Sequence, residues 1–236
     1  MATKEKESKL GNVPRWDLTN VYPSLESKEF EAAMKDLVAQ LDGLDKLMET
    51  HHIRKSPDGP AQDSADALAP VLTEMLDKMN AMRRLYGTLN AYIYSFVSTD
   101  SYNKLARKLE SELDQQGVRV QQQATAFAGS VSTPREYPPD LATREGTLAD
   151  HAFYLQENHR QAKYLMSDAE EALAAELGLS GSNAWGKLQG TITSQLSVDF
   201  ELDGEVPSMP MPALIKVRTP TDTETRRRAV QADTPT

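Results

Sequence analysis

Apolar residues recur every three or four positions along most of the chain, the spacing of one face of an α-helix. Phe30, Met34, Leu37, Leu41, Leu44 and Leu47 mark a first face behind a capping residue at Ser27. Ser56-Pro57-Asp58-Gly59-Pro60 ends it, because two prolines and a glycine do not continue a helix. Leu68, Val71, Leu72, Met75, Met79, Met82, Tyr86, Leu89, Ile93 and Phe96 hold a second, longer face. A third is capped by Asp100 and runs through Tyr102, Leu105, Leu109, Leu113, Gln116, Val120, Ala124 and Phe127. The short link from Val97 to Thr99 predicts an antiparallel helical hairpin.

Between Ser132 and Asp140, Thr-Pro-Arg-Glu-Tyr-Pro-Pro reads as a connector stiffened by proline. A weaker helix follows to about Met166. Ser167 with Glu170 forms a capping box for a helix that uses Ala169, Leu173, Ala174 and Leu177 and stops at Gly178. Another short helix starts near Ser182 and is expected to carry Trp185 and Leu188 inward. At residue 194 the period changes to two, with Leu196, Val198, Phe200 and Leu202 alternating with polar residues up to Asp203-Gly204, a pair suited to a two-residue turn. The return strand contains Pro207, Pro210 and Pro212, which cannot donate ladder hydrogen bonds, so it is read as a short edge. Thr219-Pro220-Thr221-Asp222 starts a further helix.

The predicted fold class is therefore mainly α: a long antiparallel helical hairpin plus shorter helices, with one small β-hairpin near residues 194–211. Residues 1–12 are expected to be a disordered tail and residues 13–193 a helical N-terminal domain. Residues 194–236 are expected to hold the β-hairpin and the start of a truncated following subdomain.

Charge narrows the function classes. With 26 Lys and Arg against 35 Asp and Glu, the chain carries a formal charge of −9, the wrong sign for binding a phosphate backbone. The run Arg226-Arg227-Arg228 is too short to reverse that, so no nucleic-acid partner is expected. Without cysteine there are no disulfides, thiol nucleophiles, iron–sulfur clusters or thiolate zinc sites. The charged N-terminus has no apolar segment behind it, so it does not read as a secretory signal. No apolar run approaches the roughly 20 residues that cross a bilayer. No membrane partner is expected, and a cytoplasmic location is the default expectation.

Candidate chemistry is sparse. His51, His52, His151 and His159 lack the His-Glu-x-x-His spacing that sets two imidazoles on one helix face, so they read as helix-end or surface residues. Ser180-Gly181-Ser182 lacks a nucleophile-elbow pattern and reads as the end of one helix and the cap of the next. Glu170 and Glu171 are adjacent, about 100 degrees apart on a helix, and Glu170 already serves as a cap. Met75, Met79 and Met82 lie within a longer apolar stripe and read as core, as do Tyr86, Tyr92 and Tyr94 with Phe96. The edge of the β-hairpin could pair with an extended peptide, or its apolar face could simply pack on the helices. No catalytic, cofactor-binding or metal-ligating residue is assigned.

Several short motifs, in order, carry a family resemblance. They are Arg15-Trp16-Asp17-Leu18 with Tyr22-Pro23-Ser24; the long helix reaching Ala91-Tyr92 with Thr99-Asp100 behind it; Asp168-Ala169-Glu170-Glu171; Ala184-Trp185-Gly186-Lys187-Leu188; and the strand from Leu196 to Gly204. In this order and spacing, up to about Arg228, the chain resembles the N-terminal part of the oligoendopeptidase F group of zinc metallopeptidases, relatives of thimet oligopeptidase. The resemblance implies a cytoplasmic, mostly helical protein whose full-length relatives cleave short peptides with one zinc ion. That zinc is held by the two histidines of His-Glu-x-x-His and a later glutamate, none of which occurs in this sequence. It also implies that these helices wall a channel admitting only short extended peptides. The segment 209–217 and the last six residues are expected to depart from the family's continuing helix. The leading expectation is a substrate-enclosing portion inactive by itself, with self-association through an exposed apolar face. The alternative is a standalone non-catalytic helical module that binds peptides or a partner protein.

Overall fold

The computed structural model describes residues 16–51, 53, 65–131, 146–202, 204–219 and 222–233. The expected tail at 1–12, the breaker at 56–60 and the connector at 132–140 lie outside them.

Three long helices organise the larger core: α1 (Lys28–Thr50), α2 (Ala65–Thr99) and α3 (Lys104–Val131). Ser27 caps α1, its hydroxyl accepting from the Phe30 N–H at 3.2 Å, as its residue type predicts. The face Leu37, Leu41 and Leu44 is wholly buried, and Met75, Met79, Met82, Leu89 and Ile93 of α2 meet it. Leu113 and Phe127 close the core from α3. Phe30 is packed edge-on against Tyr22, with ring centroids 5.5 Å apart, and lies 5.8 Å from the ring of Tyr92. The Tyr92 hydroxyl donates to the Tyr22 carbonyl at 2.8 Å, tying the N-terminal turn to α2 and satisfying a polar tip inside an aromatic cluster.

The α2–α3 link is capped differently from the expectation. Asn103, not Asp100, caps α3, accepting from the Ala106 N–H at 3.0 Å. Asp100 turns its carboxylate onto the Tyr102 N–H instead, an Asx-type turn that leaves Tyr102 exposed and off the stripe. Between α1 and α3, Arg119 reaches Asp42 at 2.7 Å and Asp45 at 2.6 Å. Beside it the buried Gln123 amide donates to the Leu41 carbonyl at 3.0 Å.

Gly117 sets the approach of α2 to α3, since a Cβ there would lie 2.7 Å from the Tyr86 hydroxyl oxygen. Gly117→Ala is therefore expected to forfeit the roughly 0.5–1 kcal/mol that alanine gains over glycine in a helix. In a Tyr86→Phe background, where the clashing atom is gone, that gain should reappear. Equal effects of Gly117→Ala in both backgrounds, measured by urea unfolding, would refute the clash.

Beyond α3, α4 (Thr147–Asp150) and α5 (Ala152–Gln161) seat Leu148 and Leu155 in the larger core, and a 3-10 turn (Ala162–Tyr164) follows. The Tyr154 ring stacks on Phe127 at 6.2 Å. The expected helix thus stops short of Met166. The capping box of α6 (Asp168–Gly178) is complete: the Ser167 hydroxyl accepts from the Glu170 N–H, and the Glu170 carboxylate accepts from the Ser167 N–H at 2.9 Å. A π-type turn (Leu179–Asn183), broken at Gly181, leads into α7 (Ala184–Gln195).

Trp185 and Leu188 do not point inward. They are 70% and 46% exposed, and neither α6 nor α7 contains a buried residue. The face of α7 turned to α3 is instead Gly186, Lys187, Gly190 and Thr191, because Lys187 and Thr191 find charged partners on α3. The apolar stripe is left on the other side.

The β-hairpin forms as the period predicts. β1 (Ser197–Asp199) pairs antiparallel with β2 (Ser208–Pro210), Val198 facing Met209, and Leu202 bridges Glu205 in the same register. Just before Glu205 in that register, Gly204 takes the positive φ of 79° that a tight turn requires. The return strand is shorter than expected, and Pro212 is not part of it. Met211–Lys216 is helical (α8), starting behind Pro210, since a proline is tolerated where helix N–H groups have no partner. The segment 209–217 is thus the end of a strand followed by a short helix. Asp222 accepts from the Thr225 N–H at 2.7 Å and opens α9 (Thr223–Asp233). Phe200, Met209, Leu214 and Ala229 form a second, smaller core between hairpin, α8 and α9. Among the described residues the fold is mainly α with one two-stranded sheet, as the pattern predicts.

Candidate functional site

The residues singled out by type do not converge. His51 ends α1, and His52 lies outside the described residues. His151 joins α4 to α5, with Nδ1 2.8 Å from the Thr147 carbonyl and Nε2 3.1 Å from the Asn80 amide, so both ring nitrogens are used locally. His159 lies on α5. Among the described residues no three His, Cys, Asp or Glu side chains gather as a metal ion requires. These residues do not fit the zinc that the resemblance implies. Ser180 and Ser182 turn their hydroxyls onto the Leu177 and Gly178 carbonyls at the end of α6, but neither caps the next helix as expected, since α7 starts after Asn183 without a side-chain cap. Glu171 accepts from the Met166 N–H at 3.0 Å, and Glu170 completes the cap. Met75, Met79 and Met82 are core. Of the tyrosines, Tyr92 is buried, Tyr86 half-buried and Tyr94 60% exposed, so the three do not form one cluster.

What the structure does assemble is a cleft of about 560 Å³ between the C-terminal end of α2, α3 and α7. Tyr94 and Val97 line its α2 side. On α3, Arg107, Glu110 and Asp114 share one face, three and four residues apart, and look across to α7. The Arg107 Nε donates to the Ser101 carbonyl and its Nη2 to the Thr191 hydroxyl at 2.9 Å. The Thr191 hydroxyl in turn donates to the Lys187 carbonyl, which holds its oxygen toward the arginine. Lys187 Nζ sits 2.5 Å from Asp114 and 3.6 Å from Glu110. Burial, with the Asp114 charge adding to it, pushes the nearby Tyr86 phenol above its ordinary pKa. Sequence reasoning missed this group. Its one legible signal was the Arg107/Glu110/Asp114 spacing, which looks like any solvated charged helix face until α7 is laid against it.

The α7 wall falls inside the stretch, residues 140–197, that matches the family model Peptidase_M3_N, oligopeptidase F. By sequence and fold, this chain resembles the N-terminal region of oligoendopeptidase F-type peptidases. The oligopeptidase F match takes in α4 to α7 and the first residue of β1, and therefore Lys187 and Thr191, but not Arg107 on α3. The crystal structure of oligoendopeptidase-F from Enterococcus faecium has the same fold, with a TM-score of 0.61 at 15% identity over 87% of this chain. The chain spans 37% of that enzyme's length. No curated protein sequence matches the chain.

The hairpin edge, a candidate for peptide pairing, is three residues long on each strand, and its apolar face is turned to α8 and α9 through Phe200 and Met209. No helix among the described residues is long and apolar enough to cross a membrane.

Proposed function

We propose that the chain is the N-terminal, substrate-enclosing portion of a cytoplasmic oligoendopeptidase-type zinc metallopeptidase that hydrolyses short extended peptides. The observation that carries this reading is the pairing of the oligopeptidase F family match over residues 140–197 with a common fold across 87% of the chain. In this reading zinc and the His-Glu-x-x-His residues belong to a further portion, since the motif does not occur in this sequence. The chain contributes helical wall, and α3, α6 and α7 are the elements that meet substrate or the rest of the enzyme. By itself it is inactive.

The test uses the purified chain and a fusion of it to the part of the Enterococcus faecium enzyme that it does not span. Each is incubated with zinc and a quenched fluorescent peptide, and with a folded protein substrate. The expected result is no hydrolysis by the chain alone, chelator-sensitive cleavage of the peptide by the fusion, and no cleavage of the folded protein. Stoichiometric zinc retained by the chain after dialysis, with chelator-sensitive hydrolysis, would overturn the proposal, as would a folded fusion that cleaves nothing.

A further inference from the structure

Charge in the α3–α7 cleft is held in two separate places. At one end the Arg107 guanidinium uses two of its five N–H donors, on the Ser101 carbonyl and the Thr191 hydroxyl. No carboxylate among the described residues is in ion-pair contact with it, Glu110 one turn along α3 being turned to Lys187. A partly buried cation without a contacting counter-charge gains from a bound carboxylate, and the planar guanidinium fork suits that group. At the other end two carboxylates, Glu110 and Asp114, share the single ammonium of Lys187, which leaves one negative charge in excess.

Spacing between the two ends is set by α3. Arg107 and Asp114 are seven residues apart, about 10 Å along a helix axis, the reach of about three extended residues. The facing wall of α7 is bare at Gly186 and Gly190, where an added Cβ would meet nothing within 4 Å. A ligand backbone can therefore lie close against the helix.

The geometry points to a binding site for a short zwitterionic peptide of about three small residues, its terminal carboxylate on Arg107 and its ammonium at Glu110 and Asp114. The choice of a peptide as the ligand class rests on the peptidase reading above. The layout of charge does not.

Calorimetric titration of the full chain with the tripeptide Ala-Gly-Ala, its C-terminal amide and its N-acetyl form tests the assignment. The free tripeptide binds, and capping either terminus weakens it about tenfold, the size of one lost charge-assisted contact. Arg107→Gln abolishes the preference for acid over amide while keeping the penalty for N-acetylation. Gly190→Leu, placed where a helix has open space, fills the cleft and removes binding with the helical circular dichroism unchanged. The assignment is overturned if Ala-Gly-Ala does not bind at millimolar concentration, if acid and amide bind equally, or if folded Gly190→Leu binds as the parent does. Since no hydrolysis is read, any of these failures leaves the peptidase reading to its own test. Conversely, a chain that binds the tripeptide but yields an inactive fusion keeps the cleft and loses the peptidase.

Discussion

Phe30→Ala is expected to lower the stability of the chain by about 3–5 kcal/mol, as aromatic-to-alanine changes in close-packed cores do. The ring is almost wholly buried and sits where the N-terminal turn, α1 and α2 meet, in contact with Tyr22 and Tyr92. Removing it deletes apolar burial and leaves a cavity that cannot close easily. Tyr92 is held in place from above by its hydrogen bond to the Tyr22 carbonyl and from the side by Phe96, whose ring is 5.1 Å away. For a chain of this size such a loss lowers the melting temperature by roughly 10 °C. Tyr94→Ala, at an exposed site on α2, is the control and should move it little. Thermal melts followed by circular dichroism decide the matter: a drop for Phe30→Ala no larger than the control's would mean this junction does not carry the core.

A second large effect is expected at the outer face of α7. Trp185, Leu188, Ile192 and Leu196 follow one another at three- and four-residue intervals and are all exposed, and Leu173 and Leu177 on α6 are exposed as well. On the proposed function this face is covered by the rest of the peptidase. The chain alone should therefore self-associate with rising concentration and bind an apolar fluorescent dye. The double substitution Trp185→Glu with Leu188→Glu should suppress both without changing the melting temperature, because neither side chain is packed in the core. Light scattering across a concentration series measures this directly. A parent chain that stays monomeric and dye-free would speak for a finished binding module, the alternative raised by the sequence.

The contrast between Phe30 and Trp185 also shows which parts of the molecule were legible before folding. Periodicity alone located α1, α2 and α3, because burying a repeated apolar stripe is the main driving force for a long helix and needs no knowledge of its neighbour. Local chemistry was equally readable at Ser27, at the Ser167/Glu170 box and at the turn before Gly204, where a cap or a positive φ is a property of a few adjacent residues. Asp100 was misread because two capping residues stand three apart, and only the start of α3 selected Asn103. The helical segment after Pro210 was missed because its prolines fit a strand edge and a helix start equally well.

The cleft lies beyond that horizon. Nothing near Arg107 in sequence announces that Thr191 and Ser101 will take two of its donors, or that Lys187 will be spent on Glu110 and Asp114. Trp185 and Leu188 read as inward-facing for the same reason, since an apolar stripe states that burial is favourable but not which surface will provide it. The sequence by itself determined the three long helices, the caps at Ser27 and Ser167 and the place of the hairpin, which rest on interactions within a few residues. Only the tertiary structure decided which face of α7 meets α3, because that choice turns on charge-assisted hydrogen bonds between residues more than seventy positions apart.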